Sequence, residues 1–216
     1  MRGLVLSLCD YTGVMVEPWA EAGYWCVCVD LKHPAGLYPQ EFPLNGISFM
    51  GADLLGWIPP LRSYSIVFAF PPCTALAVSG SRWMKGKGLS ELVKALALVD
   101  ACRKICEASG VPYFIENPVS TISTYWREPD YTFDPCEFGD PYKKKTCLWT
   151  GGGFIMPKGD PLPLLGIEGT RVAPTEGSKM HRLPPSERRA EIRSETPPGF
   201  ARAVFEANEP LVRGTA

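Results

Sequence analysis

An α/β fold, a doubly wound and mostly parallel sheet with helices on both faces, follows from three features of the sequence. Short apolar runs at 4–8, 24–29, 66–70 and 111–115 alternate with segments of helical character. The first two runs are joined by a glycine turn and a helix, and Asp30 closes the second. The third stops at Pro71-Pro72 and Cys73 follows at once. A thiol is therefore placed at the carboxyl end of a strand, the edge where open α/β sheets bind ligands.

Each element can be justified in order. Leu4–Leu8 reads as the first strand, and Cys9-Asp10-Tyr11-Thr12-Gly13 as a turn. A helix starts near Val16-Glu17-Pro18, with proline tolerated in its first turn, and Gly23 ends it. Strand, glycine turn, helix, strand and acid make the pattern of a nucleotide or cofactor site. The turn lets backbone N–H groups approach a ligand, and the acid can accept ribose hydroxyls. Leu31 to Met50 is rich in proline and glycine and reads as loop with room for a short strand; His33 within it reads as a solvated side chain. Asp53 lies in a second short turn, and an aspartate there or at position 30 also serves as an ordinary turn or cap residue.

After Cys73 a polar loop containing Ser79, Gly80, Gly86 and Gly88 carries Arg82, Trp83, Lys85 and Lys87. Ser90 then caps a helix running to about Ser109, whose apolar face is Leu92, Leu96, Val99, Cys102 and Ile105. That helix supplies the right-handed crossover to the strand 111–115, which ends in Glu116-Asn117-Pro118. If the two strands are parallel neighbours, Cys73 and Glu116 emerge at one edge. A thiol beside a carboxylic acid suits nucleophilic attack on a ring that is protonated as it is attacked.

Residues 119–137 read as irregular, with Tyr125, Trp126 and Tyr131 placed to stack on a base or, as aromatics more commonly do, to roof the core. A basic segment with Lys143, Lys144 and Lys145 leads into a last strand ending at Gly151. From 157 to 185 proline, glycine and polar residues dominate, followed by Arg188, Arg189 and Arg193. A proline-started helix from Thr196 then turns Phe200, Val204 and Phe205 inward.

Composition narrows the class. At 216 residues the chain makes one domain, 1–216, with little left for a second core. A net charge of −1 excludes a global basic field for nucleic acid, so any such surface is local. Eight irregularly spaced cysteines and two histidines do not make a disulfide scaffold or a zinc site, and reduced thiols are expected. No metal is called for. The start lacks a signal-peptide pattern and no run is long enough to span a membrane, so a cytoplasmic monomer is the expectation.

Pro71-Pro72-Cys73 and Glu116-Asn117-Pro118 with a helix between them resemble the cytosine carbon-5 DNA methyltransferases. Ala75 to Gly80 is similar to that family's loop after the cysteine. The turn 9–13 stands where the family has Phe-x-Gly-x-Gly, with Gly13 the one glycine kept; Tyr142, Lys144 and Thr146 stand where it has a glutamine and two arginines. Ser194 replaces an asparagine at the start of the last motif. The motifs run from 4 to 207 in the family's order, as in a short, phage-like member.

The resemblance implies a class I S-adenosylmethionine-dependent methyltransferase fold and S-adenosylmethionine as cofactor. It implies a catalytic group of Cys73, Glu116, Asn117, Pro72, Lys144 and Thr146. Asp10, Thr12, Gly13, Asp30, Asp53, Pro71, Ser194 and Thr196 would bind the cofactor, with Asp30 on ribose and Asp53 on adenine. Ser79, Arg82, Lys85, Lys87, Lys143, Arg188 and Arg189 would face nucleic acid, with the loop 79–88 closing over an extruded base. The family's target-recognition domain has no room here, because only 152–193 separates the basic segment from the last motif. DNA read with low specificity or through a recognition partner, a free deoxycytidine nucleotide, and a non-catalytic nucleic-acid-binding relic of the fold remain the alternatives.

Overall fold

The computed structural model describes residues 1–36, 41, 43–77, 81–159, 176 and 194–214; for 81–87 it describes the backbone. The strands are β1 (Leu4–Leu8), β2 (Trp25–Val29), β3 (Ile47–Met50), β4 (Ile66–Ala69), β5 (Tyr113–Pro118), β6 (Tyr131–Phe133) and β7 (Thr146–Gly151). The helices are α1 (Glu17–Glu21), α2 (Ser81–Ser109), α3 (Ile122–Tyr125) and α4 (Pro198–Gly214), with 3-10 turns at Val14–Val16 and Pro135–Phe138. All strands form one sheet in the order β3-β2-β1-β4-β5-β7-β6. The five strands from β3 to β5 are parallel, while β7 runs antiparallel to both β5 and β6.

Every residue of β1, β2 and β4 is buried, which a strand achieves only when both faces of the sheet are covered. Alternation divides their side chains between two cores. Leu6, Val27, Val67 and Ile115 meet Val99, Cys102 and Cys106 of α2 on one face. Val5, Cys26, Phe68 and Phe114 meet Trp19 of α1 and Phe200 and Val204 of α4 on the other. Phe200 stacks on Phe133 of β6 with ring centroids 4.1 Å apart and meets Phe114 of β5 at 6.0 Å, so the start of α4 lies over the β5-to-β6 side of that face. All eight cysteines are reduced thiols.

Three sequence expectations are corrected. The segment 81–88 is not a loop: helix begins at Ser81, nine residues before the expected Ser90 cap, and Gly88 interrupts it with φ 80° and ψ 166°. Glycine takes that left-handed conformation without strain, which lets two helical pieces run on across it. Glu116 and Asn117 lie inside β5 rather than beyond it, because β7 supplies partners (Glu116 to Leu148, Asn117 to Cys147) where β4 has already ended at Ala69. The stretch 119–137 is not irregular throughout; it forms α3, β6 and a 3-10 turn. Among the described residues, no helix is long and apolar enough to cross a membrane.

Candidate active site

β4 and β5 are parallel neighbours, with Ala69 opposite Ile115, so the segments leaving them emerge side by side. Proline has no N–H for the ladder, and Pro71-Pro72 turn the chain out of the sheet toward a half-buried Cys73. The backbone N–H groups of Leu76 and Ala77 both donate to the Cys73 carbonyl, at 2.9 and 2.8 Å, closing a tight turn behind the thiol. Two links join this turn to the chain leaving β5. Ala77 bridges Ser120, and Thr121 N–H donates to the Leu76 carbonyl at 3.0 Å. A third comes from a side chain: Asn117 Nδ2 donates to the Pro71 carbonyl at 2.8 Å. Asn117 has no exposed surface, and its buried Oδ1 meets no hydrogen-bond partner among the described residues.

Glu116 stands next to Asn117 on β5 and on the opposite face of the sheet. Its carboxyl lies 3.9 Å from Lys144 Nζ, and each side chain is 15% exposed. Burial pushes the Glu116 carboxyl above its usual pKa, and the Lys144 ammonium opposes this in part. The result is a carboxyl whose neutral form burial favours and the nearby cation disfavours. Thr146 does not face outward as a donor: it is buried, and its hydroxyl donates to the Lys144 carbonyl at 2.7 Å, fixing the backbone that carries the lysine. Lys143 is exposed beside this pair.

The carboxyl ends of β1, β2 and β3 present the expected cofactor residues. Asp10 is buried and turned inward, accepting from Ser7 Oγ at 2.7 Å, Gly13 N–H at 2.8 Å and Thr12 Oγ1 at 3.4 Å. Its role is to shape the turn rather than to meet a ligand directly. Burial pushes its carboxyl up, against the lowering effect of those donors. Thr12 and Tyr11 are exposed on the turn, and Gly13 has φ 75°. A Cβ on Gly13 would sit 3.1 Å from the Phe49 ring, so the position lacks room as well as conformational tolerance. Asp30 and Asp53 follow β2 and β3, and each uses Oδ1 to accept the N–H two residues on, from Lys32 and Leu55. Pro71 is buried and Pro72 exposed; Ser194 is exposed and Thr196 buried just before α4. Asp140 packs against Gly199 at the start of α4, where a Cβ would meet its Oδ2 at 2.8 Å, and burial pushes its carboxyl up.

His33 was missed. It is half-buried, stacked on Tyr11 at 5.0 Å and packed on Phe49 at 4.8 Å, with Nε2 3.3 Å from the Asp10 carbonyl. It is therefore a brace between the turn after β1 and the edge strand, not a solvated loop residue. No local pattern signals this, since its partners lie on two other elements. Arg82, Lys85 and Lys87 fall on the helical backbone before Gly88. Ser79, Arg188 and Arg189, and nearly all of the 152–193 region from 160 onward, lie outside the described residues.

The strand order, with its antiparallel β7 between β5 and β6, is that of the class I S-adenosylmethionine-dependent methyltransferase fold. No protein-family model matches the chain, and neither does any curated protein. Among solved structures it is similar to the CcbJ methyltransferase of Streptomyces caelestis, at 16% identity and TM-score 0.32 over 62% of this chain and 49% of that one. It is also similar to the glycopeptide N-methyltransferase MtfA, at 14% identity and TM-score 0.31 over 68% of this chain and 65% of that one. MtfA complexed with S-adenosyl-L-homocysteine gives 13% identity and TM-score 0.32, covering 69% and 56%. The chain thus spans between about half and two thirds of the length of these proteins.

Proposed function

We propose that this protein methylates carbon 5 of cytosine in DNA, with Cys73 as nucleophile and S-adenosylmethionine as methyl donor. The observation that carries the reading is the placement of a half-buried thiol after β4 and of a half-buried carboxyl, its pKa raised by burial, on neighbouring β5. Asn117 fastens the two segments together. In this reading the Cys73 thiolate bonds to carbon 6 while Glu116 gives its proton to ring nitrogen 3, which moves an electron pair onto carbon 5. Carbon 5 takes the methyl group, the one chemical contribution of S-adenosylmethionine. Loss of the carbon 5 proton to solvent, rupture of the carbon–sulfur bond and return of the nitrogen 3 proton to Glu116 complete the cycle. Lys144 sets the proton affinity of Glu116 and offers an N–H to the cytosine carbonyl.

The residues present fit the cofactor. An open turn with Thr12 exposed and Gly13 without a Cβ lies at the end of β1, and acids follow β2 and β3. Asp30 would hold the ribose, Asp53 the adenine amino group, and Ser194 and Thr196 the side nearest α4. Lys143 and the basic residues 82–87 would meet phosphates, each one neutralised adding about −0.9 to the salt slope of binding to duplex DNA. A methyl-transfer assay comparing duplex DNA, single strands, RNA and deoxycytidine nucleotides tests the substrate. Label in DNA supports the reading. Label confined to a deoxycytidine nucleotide, with excess DNA leaving turnover untouched, replaces DNA with the free nucleotide.

A further inference from the structure

The ladder between β5 and β7 ends with Pro118 opposite Thr146, so Val119 and Lys145 leave its open end from adjacent positions. Val119 is 45% exposed, and Lys143 and Lys145 are exposed as well. The chain after Val119 is held against the turn that carries Cys73. Ser120 bridges Ala77, Thr121 N–H donates to the Leu76 carbonyl at 3.0 Å, and α3 starts at Ile122. Tyr125, the last residue of that single turn of helix, is 60% exposed. Its neighbour Trp126 is committed to the core, stacked on Trp149 with the Arg127 guanidinium 4.8 Å from its ring centroid. The Tyr125 ring, by contrast, has no ring contact or hydrogen bond among the described residues.

We infer that Tyr125, flanked by Val119, is a stacking platform for the base next to the target cytosine in a DNA strand, with Lys145 and Lys143 meeting the phosphates beside it. Which base is held rests on the reading of Cys73 as the group that attacks cytosine. A lone exposed tyrosine is ordinary on a protein surface. This one lies within a helical turn of both links to the Cys73 turn, and two exposed lysines stand across the end of the ladder. Aromatic faces for bases, set beside cations for the backbone, are the composition of a single-strand surface. Stacking accepts any base, because every base has a π face, so it holds a strand without reading its sequence. That suits a chain with no room for a separate recognition domain. A free nucleotide has no neighbouring base and gains nothing from the platform.

The test is binding of short single-stranded DNA oligonucleotides containing one cytosine, read by fluorescence anisotropy. S-adenosyl-L-homocysteine is present, so that no methyl group moves. Tyr125→Ala is expected to bind about 5- to 100-fold more weakly than wild type, the loss of one base–aromatic stack, and Tyr125→Phe to bind like wild type. Val119→Asp should weaken binding too, and circular dichroism should be unchanged in all three. An oligonucleotide with an abasic site beside the cytosine, on its 5′ or its 3′ side, should bind wild type as weakly as the intact one binds Tyr125→Ala. Tyr125→Ala should lose nothing further on that probe. Lys145→Ala should reduce the salt slope by about 0.7, one phosphate on a single strand, which Tyr125→Ala leaves alone. Equal affinity of wild type and Tyr125→Ala, or an abasic penalty that persists in full in Tyr125→Ala, overturns the inference. So does a wild type that binds no strand. Binding with the expected pattern, but no label in DNA or in a deoxycytidine nucleotide, removes the methyl-transfer reading and leaves the platform standing.

Discussion

The Asn117 side chain donates to the Pro71 carbonyl at 2.8 Å across 46 residues of sequence, fastening the turn that carries Cys73 to the strand that carries Glu116. Neither partner is exposed to solvent, so water cannot replace the bond when it is lost. Asn117→Ala leaves a buried carbonyl unsatisfied. It is expected to destabilise the fold by about 1–3 kcal/mol. Denaturant unfolding measures that loss, and turnover should fall further than stability accounts for, because the thiol is no longer held against β5.

The acid gives a signed pH dependence. Burial raises the Glu116 pKa in the folded state, so its neutral form is the stabilised one. That contribution to stability is fully present below the ordinary carboxylate pKa and is lost as pH rises through the folded value. Activity that needs the proton declines over the same limb. Lys144→Met removes the cation that draws this pKa down, and the declining limb should move to higher pH. Rate profiles of wild type and variant check this; a limb that stays in place or moves to lower pH contradicts the proposed pairing.

Gly13→Ala places a methyl group 3.1 Å from the Phe49 ring at φ 75°. The left-handed conformation alone costs about 1–2 kcal/mol for a residue with a Cβ. Weaker binding of S-adenosylmethionine by calorimetry and a lower melting temperature are expected together. Adding Phe49→Ala relieves the contact but not the backbone strain, so only part of the melting temperature should return.

Asp30→Ala should weaken S-adenosylmethionine binding about tenfold or more, the loss of one charge-assisted hydrogen bond worth ~1.5–3 kcal/mol. Asp53→Ala should act in the same direction with less effect, since Asp53 is exposed. Calorimetry distinguishes the two, and equal, unchanged affinities would remove both acids from the cofactor site.

The parallel core was legible in the sequence because strands buried on both faces read as continuous apolar runs, as in Trp25–Val29 and Ile66–Ala69. Cys73 was legible for the same reason, since two prolines mark where the third run ends. What escaped the sequence depends on distant partners. The helix over 81–87 was hidden by its own glycines, and Gly88 does break it. The membership of Glu116 and Asn117 in β5 depends on β7, which local sequence does not announce. His33 reads as a loop residue until Tyr11 and Phe49 are brought against it.

The central claim is a covalent bond from Cys73 to carbon 6 of cytosine. Duplex DNA containing 5-fluorocytosine, incubated with S-adenosylmethionine, measures it directly, because fluorine at carbon 5 cannot leave as a proton does and the adduct is trapped. Wild-type protein is expected to give a denaturant-stable protein–DNA adduct whose mapped peptide contains Cys73. Cys73→Ser is expected to give none while still folding and binding S-adenosylmethionine. No adduct from wild-type protein that methylates ordinary DNA, or an adduct that persists in Cys73→Ser, would contradict the account.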